Sequence, residues 1–419
     1  MYKNRITLFL LLTTVSQFVA AQNIKEEPVE YRVIMLPLNP LPASIKNYQS
    51  SIFATYEADN KKKKAEYDAK KVAADLAFQK EKDAYPARVK AADDKYNAEM
   101  EAWKKKSLGE KVVEKQVLGE NNKPVKQTPS QPYLQTVPSP DLKTSYDYPA
   151  VASTYLVLDG FENNPANAVK IDVTIYGYDY TEPRQMSVQK NVASYANGQT
   201  QTSLVNYYHT EFSYRHTMSV KVTGPDGKEL FNLTPQELNT YKIYKTPEST
   251  TPMEVNSQLL VKTTEEKIFQ DNLTLINNLV NDKIGFKRLL RKAEIFYVKS
   301  KDDTYKDLLI AFNDASAGLK TLVEDPSASK PKLQSAIQAW NTALLESDVK
   351  NKKARIDKDV TTAIYFNLLE CYYALGDSAG AEKIITSLNS IDLSSAKRKQ
   401  KEDFEALFND LKKRVLINK

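Results

Sequence analysis

The side chains best suited to chemistry are few and scattered. The chain has two histidines, His209 and His216, and a single cysteine, Cys371. The histidines lie seven positions apart in a segment of alternating polar and apolar residues, so a regular strand turns them to opposite faces. His216 falls with the apolar residues and His209 with the polar ones. A zinc site needs three or four convergent ligands, so the expectation is a core histidine and a surface histidine, with no metal and no cofactor. Cys371 stands beside Tyr372 in a helical pattern, where a buried structural thiol is expected rather than a nucleophile. No G-x-S-x-G, H-E-x-x-H, phosphate-loop or dinucleotide-binding glycine pattern occurs. With 53 acidic residues, no carboxylate pair stands out as an acid and base. The reading is a non-catalytic protein.

Tyrosine is the residue whose distribution suggests binding. Twelve of the 25 tyrosines fall between Tyr146 and Tyr244. Tyr176, Tyr178, Tyr180 and Tyr207 are the candidate contacts, because tyrosine on the wet face of a sheet stacks on sugars or anchors a protein interface. Tyrosine is also a good strand former, which accounts for the same enrichment without a ligand.

Two strand patterns surround these tyrosines. Val169, Ile171, Val173 and Ile175 alternate with polar residues, and Tyr208, Phe212, Tyr214, Met218, Val220 and Val222 do the same over a run long enough to require a bend or bulge. Gly224-Pro225-Asp226-Gly227 makes a turn into a return strand at Lys228–Phe231. One buried and one wet face predict a sandwich-like β-rich domain over 151–250.

Elsewhere the composition changes. An initial strand, Tyr31–Leu36, and a Pro-rich stretch fill 22–47. From 48 to 107 there is dense charge and abundant alanine, the mixture of a solvated helix. Ala65, Ala69, Val72 and Leu76 form one narrow stripe; Val89, Ala92, Tyr96, Met100 and Trp103 form another, with Pro86 between. A helical hairpin arm turning near Tyr85-Pro86, its stripes zipped as in a coiled coil, is the expectation, with one kinked helix as the alternative. Residues 108–150 are a Pro-rich linker. After Pro252 the period becomes helical: Thr263 and Glu266 suggest a capping box for the helix carrying Phe269, Leu273, Ile276 and Val280. Tyr305–Leu322, Leu333–Leu344 and Phe404–Leu411 keep three-four spacings. Residues 260–419 read as all-helical.

Within that array, Tyr365, Leu368, Tyr372, Gly376-Asp377, Ala381, Ile385 and Leu388 fall at the positions of one helix-turn-helix unit, and the stretch resembles a tetratricopeptide repeat. Leu369 and Leu388 depart from the small residues usual in that repeat. The resemblance implies protein binding without catalysis, and a single repeat needs neighbours to cap it. The expected class is α+β multidomain: a β-rich module with an inserted helical arm, followed by a repeat-like helical domain.

The address comes from the first residues. Lys3 and Arg5, an apolar run from Ile6 to Leu12, and Val19-Ala20-Ala21 form a secretory signal peptide, residues 1–21, with cleavage before Gln22. The apolar run is well short of the ~20 residues that span a bilayer. No cysteine follows it to carry a lipid. Cleavage lowers the net charge from +6 to +4, leaving 57 basic against 53 acidic residues. That near-balance and export both exclude nucleic acid as a partner. The reading is an exported interaction or scaffold protein of a bacterial cell envelope, periplasmic, with the outer-membrane periphery or the medium as other destinations. Its partners are envelope proteins; the alternative function is glycan binding through the tyrosine-rich sheet, with polysaccharide as partner.

Overall fold

The computed structural model describes residues 23–116, 123–196 and 199–419; the signal segment lies outside them. In chain order the elements are β1 (Ile24–Ile34), β2 (Asn47–Ala54), α1 (Glu57–Lys105), α2 (Leu108–Gln116), α3 (Tyr148–Tyr155), β3 (Glu162–Asn163), β4 (Ala168–Tyr180), β5 (Arg184–Ala196), β6 (Gln199–Thr223), β7 (Glu229–Leu233), α4 (Gln236–Asn239) and β8 (Lys242–Lys245). There follow α5 (Ser257–Ile284), β9 (Arg288–Val298), α6 (Lys306–Lys320), α7 (Pro326–Leu344), α8 (Lys358–Leu375), α9 (Ser378–Asn389) and α10 (Ser395–Ile417). The architecture is mixed α+β, and among the described residues no helix is long and apolar enough to cross a membrane.

The main sheet is mixed, ordered β3-β2-β4-β6-β5, with β7 and β8 also on β6. β2 runs parallel to β4, and β4 antiparallel to β6. Its inner face carries Tyr48, Ile52, Val169, Ile171, Val173, Ile175, Met218, Val220 and Val222. Helix α5 covers that face with Phe269, Leu273, Ile276, Val280 and Ile284, and α3 adds Ala152. The layer over the sheet is therefore helical, where a sandwich-like module had been expected. Strand alternation reports that one face is buried and is silent about what buries it. α5 thus belongs to the sheet domain, and the stretch 260–419, expected to be all-helical, divides after it and contains the strand β9. Its cap is Asn256, whose side chain accepts from the Leu259 N–H; Thr263 lies a turn further in and donates to the Leu259 carbonyl.

A bend or bulge was expected in the long run that forms β6, and the extra residue lies instead in its neighbour β4. Ile175 pairs with Met218 and Gly177 with Thr217, so Tyr176 is an extra residue. The bulge shifts the parity, and inward positions pass from odd numbers to even ones at Tyr178. Gly177 sits at φ +116°, a conformation glycine adopts without strain, and the Lys143 side chain fills the space a Cβ would occupy.

The second layer holds α6–α10. α6 and α7 form one hairpin and α8 and α9 a second, with α10 packed on both α8 and α9. β1 and β9 make an antiparallel two-stranded ribbon that lies on α6 and α8. Val29, Tyr31, Ala293, Ile295, Phe296 and Val298 from the ribbon join Leu308, Phe312, Trp340, Phe366 and Leu368 in one core. Arg414, on α10, bolts the two layers together. It is 5% exposed, donates to the Leu36 carbonyl at 2.7 Å, and meets Asp282 of α5 at 2.8 Å and Asp410 at 2.7 Å.

Candidate interaction surface

The groups most able to do chemistry are held as structure. His216 is buried between Tyr178 and Phe269, and desolvation pushes its pKa down to about 4. His209, on the other face, is buried as well, at 6% exposure, where a surface histidine is expected; its Nε2 lies 3.3 Å from Glu211, which also meets Lys245 at 3.2 Å. Among the described residues no group of three or more metal-type side chains converges. Cys371 is fully buried in α8, and burial raises its thiol pKa, which suppresses the thiolate. Glu370, 4% exposed, accepts from Tyr31 Oη at 2.5 Å and from Arg291 in a two-point pair at 2.5 and 2.9 Å. The Arg291 guanidinium in turn lies over the Tyr373 and Phe404 rings. Each member of this network is committed to another, and together they fix the β1–β9 ribbon to α8.

The four candidate tyrosines do not share a face. Tyr178 and Tyr180 point inward after the bulge, with ring centroids 5.7 Å apart, and Tyr178 also neighbours Tyr214 at 6.0 Å. Tyr178 is buried and Tyr180 is half-exposed at the rim. Tyr176 points outward, its hydroxyl 3.2 Å from Ser219. Tyr207 is also outward but twelve residues from Ser219 along β6, about 40 Å at strand rise.

In the helical layer, Tyr365, Leu368 and Tyr372 lie on α8, and Gly376 ends that helix in the left-handed conformation at φ +71°. Asp377 caps α9 through the Gly380 N–H, and Ala381 is fully buried where the helices meet. Absence of a side chain at Gly380 makes room for the Tyr372 ring. An open groove of about 620 Å³ runs between α7 and the end of α8, lined by Gln334, Gln338, Asn341, Leu345, Tyr372 and Leu375 among others. The face formed by α6 and α8 is covered by the β1–β9 ribbon.

The most prominent surface is an arm, and it is not a hairpin of two helices. α1 runs unbroken for 49 residues through Pro86. Proline removes one backbone donor and crowds the carbonyl four residues back, yet Pro86 and Lys82 are both exposed, so that carbonyl remains hydrated. The inward stripe is Tyr67, Ala74, Phe78, Tyr85, Val89, Ala92, Tyr96, Met100 and Trp103, half-buried from end to end. Ala65, Ala69, Val72 and Leu76 lie about half a turn around the helix and are exposed. The arm starts at Glu57, since Tyr48 and Ile52 belong to the core of the sheet.

What covers the inward stripe is the Pro-rich segment, which is a brace and not a free linker. Lys123 reaches Trp103, Lys126 pairs with Asp93 at 2.8 Å, and Val137–Asp141 lies against Lys63–Lys70. Pro124, Pro129, Pro132, Val137 and Pro140 are its half-buried residues. The lengths agree. From Asn60 to Trp103 the helix rises about 65 Å at 1.5 Å per residue, and from Lys123 to Lys143 a polyproline-like chain spans about 62 Å at 3.1 Å per residue. At the base, Asn60 clamps the returning backbone, donating to the Lys143 carbonyl at 2.8 Å and accepting from its N–H at 3.1 Å. Tyr56 donates to the Thr144 carbonyl, Thr144 to Glu265, and Tyr146 stacks on Phe269 at 4.0 Å.

A second projection was not foreseen. Glu211 of β6 pairs with β5 and β8, and Tyr214 with β4 and β8, which puts β4 and β5 end to end along one side of β6. Beyond Tyr208 only β5 and β6 continue, a ribbon with nearly every side chain exposed. Because β2 and β4 are parallel, α1 after β2 and this ribbon after β4 leave the sheet at the same end. Comparison with protein-family models, curated proteins and solved structures returns no match.

Proposed function

We propose that this chain is an exported, non-catalytic interaction protein that acts as a scaffold in a bacterial cell envelope. The observation that carries the reading is the pair of projections, the braced helix and the β-ribbon, leaving one end of a single sheet. A helix of 49 residues, half of it in water along its whole length, adds little to the core, and its brace holds it straight. Such a device presents surface at a distance from a body.

The helical layer fits the same reading. α8 touches both α6 and α7, and α10 touches both α8 and α9, the nesting expected of a tetratricopeptide-like stack. Its α6/α8 face is filled by the chain's own ribbon, which leaves the α7/α8 groove as the open contact surface. Periplasmic residence is inferred from the signal segment.

The test is replacement of residues 61–142 by a short Gly-Ser turn joining Asn60 to Lys143. The variant is expected to keep the far-UV spectrum of its sheet and helical layers while losing crosslinks to an envelope protein in intact cells, read by mass spectrometry. Unfolding of the remainder, or an unchanged crosslink pattern, counts against an arm that binds.

A further inference from the structure

We infer that the far end of the helical arm is a contact for a lipid surface with anionic headgroups. The inference deepens the reading of the arm as a device that presents surface, and it rests on that reading. In the sequence the shaft, residues 57–103, carries eleven basic and eleven acidic residues, whereas the stretch from Lys104 to Lys126 carries seven lysines against three glutamates. The net charge of +4 left by signal cleavage therefore lies wholly in that stretch, and the rest of the chain balances.

The fold sets apolar surface among these lysines. α2 opens on a capping box: the Ser107 N–H and hydroxyl each donate to Glu110 at 2.8 Å, and Ser107 Oγ accepts from the Glu110 N–H at 3.3 Å. That folds the Glu110 carboxylate back onto the start of the helix. Lys111 ties α2 to the end of α1, its ammonium 4.5 Å from the Trp103 ring centroid and donating to the Lys104 carbonyl at 3.2 Å. Leu108, Val112 and Val113 spread over about 140° of the helix and are 83%, 49% and 50% exposed. Val125, on the returning chain, is 80% exposed, and Lys104, Lys105, Lys123 and Lys126 flank these apolar residues in sequence and are exposed too. A nine-residue helix with its apolar side chains in water is marginal, so this end of the arm gains from a covering.

Charge and extent select a bilayer as the occupant. A stable protein interface takes about 20–30 residues from each partner. The end of the arm offers fourteen described residues, 104–113 and 123–126. An anionic leaflet needs no matching surface: each lysine near it adds separately, about fivefold in affinity, and leucine and valine enter the headgroup boundary between them. Lysine suits the task, because its stem stays with apolar groups while its ammonium reaches the phosphates.

Co-sedimentation of the mature chain with vesicles of phosphatidylcholine containing about one quarter phosphatidylglycerol, at about 0.1 M salt, is the test. Binding is expected, with neutral phosphatidylcholine vesicles at least about tenfold weaker. Lys105→Gln with Lys123→Gln should weaken it about thirtyfold, while the same charge loss on the shaft, Lys62→Gln with Lys80→Gln, should leave it unchanged. All four lysines are exposed, and circular dichroism checks that both variants fold. Brominated acyl chains should quench Trp103 at the end of the arm and spare Trp340, which is 1% exposed in the helical core. No binding to the anionic vesicles, equal binding to neutral ones, an equal loss in the shaft variant, or no quenching of Trp103 would each overturn the proposal. An envelope protein crosslinked through the arm, with no vesicle binding, would sink this inference and leave the scaffold reading standing; vesicle binding without such a crosslink would do the reverse.

Discussion

Replacing Asn60 with leucine should unfasten the foot of the arm and leave the body folded. Asn60 is 6% exposed, and its amide makes the two backbone bonds to Lys143 together with one to Ser145 Oγ at 3.3 Å. Leucine has the same number of side-chain heavy atoms in the same branching, so the shape is kept in a slightly larger side chain while the polar contacts are lost. The Lys143 N–H and carbonyl would then be left without partners in a partly covered position. Each costs about 1 kcal/mol, the low end for such a group, because Lys143 can recover some water; the total is about 2 kcal/mol. That corresponds to about thirty-fold faster amide exchange at Lys143, since 1.4 kcal/mol is a factor of ten. The Tyr56, Thr144 and Tyr148 contacts remain and should confine the effect to the lower part of the brace. Hydrogen exchange read by mass spectrometry on peptides spanning 123–147 is the assay. Unchanged exchange around Lys143 would refute the clamp, and equal acceleration in α5 and β4 would show that Asn60 supports the whole domain instead.

Two further outcomes follow from buried charge and burial of a base. Arg414→Met leaves Asp282 and the Leu36 carbonyl unpaired at the junction of the two layers. Because those carboxylates are partly exposed, the loss should be about 2 to 3 kcal/mol in urea unfolding, below the range for fully buried pairs, and a loss under ~1 kcal/mol would count against the bolt. For His216 the folded pKa of about 4 lies below the unfolded value near 6.5, so the unfolded chain binds a proton across that window and the folded chain does not. Its contribution is constant above pH 6.5 and is lost as pH falls to 4, by about 3 kcal/mol in all. The His216→Phe variant should lose less stability than the parent between pH 7 and 4; parallel pH profiles would sink the assignment.

Period and residue type made several elements legible in the sequence. The alternation at Val169–Ile175 and Tyr208–Val222 lies inside β4 and β6, and the three-four spacings coincide with α6, α7 and α10. Periodicity records which side of an element is dry, whereas the partner comes from elsewhere in the chain. For that reason alternation alone suggests a second sheet over the dry face, which α5 in fact covers. For the same reason the stripe ending at Trp103 suggests a facing helix, whereas a proline segment covers it. β2 was missed because Tyr48-Gln-Ser-Ser-Ile-Phe-Ala carries only two fully buried apolar positions next to a strong helix. The tyrosines are close in sequence, yet one extra residue at Tyr176 sends Tyr176 and Tyr178 to opposite faces. A bulge of that kind is announced only by Gly177, and glycine in a strand has several readings.

The pairing of a helix with an extended brace imposes a rule on how the arm can change size. Each brace residue advances about twice as far as each helical residue, 3.1 against 1.5 Å. Seven residues inserted into α1 add two turns and return the inward stripe to its original side, while the brace needs only three or four to keep step. An insertion in one limb alone either shifts the brace out of register with the helical stripe or forces a loop at the tip. Reach is therefore adjustable only in coupled increments of about 10 Å, so the arm behaves as a graduated spacer whose length is specified twice in the same sequence.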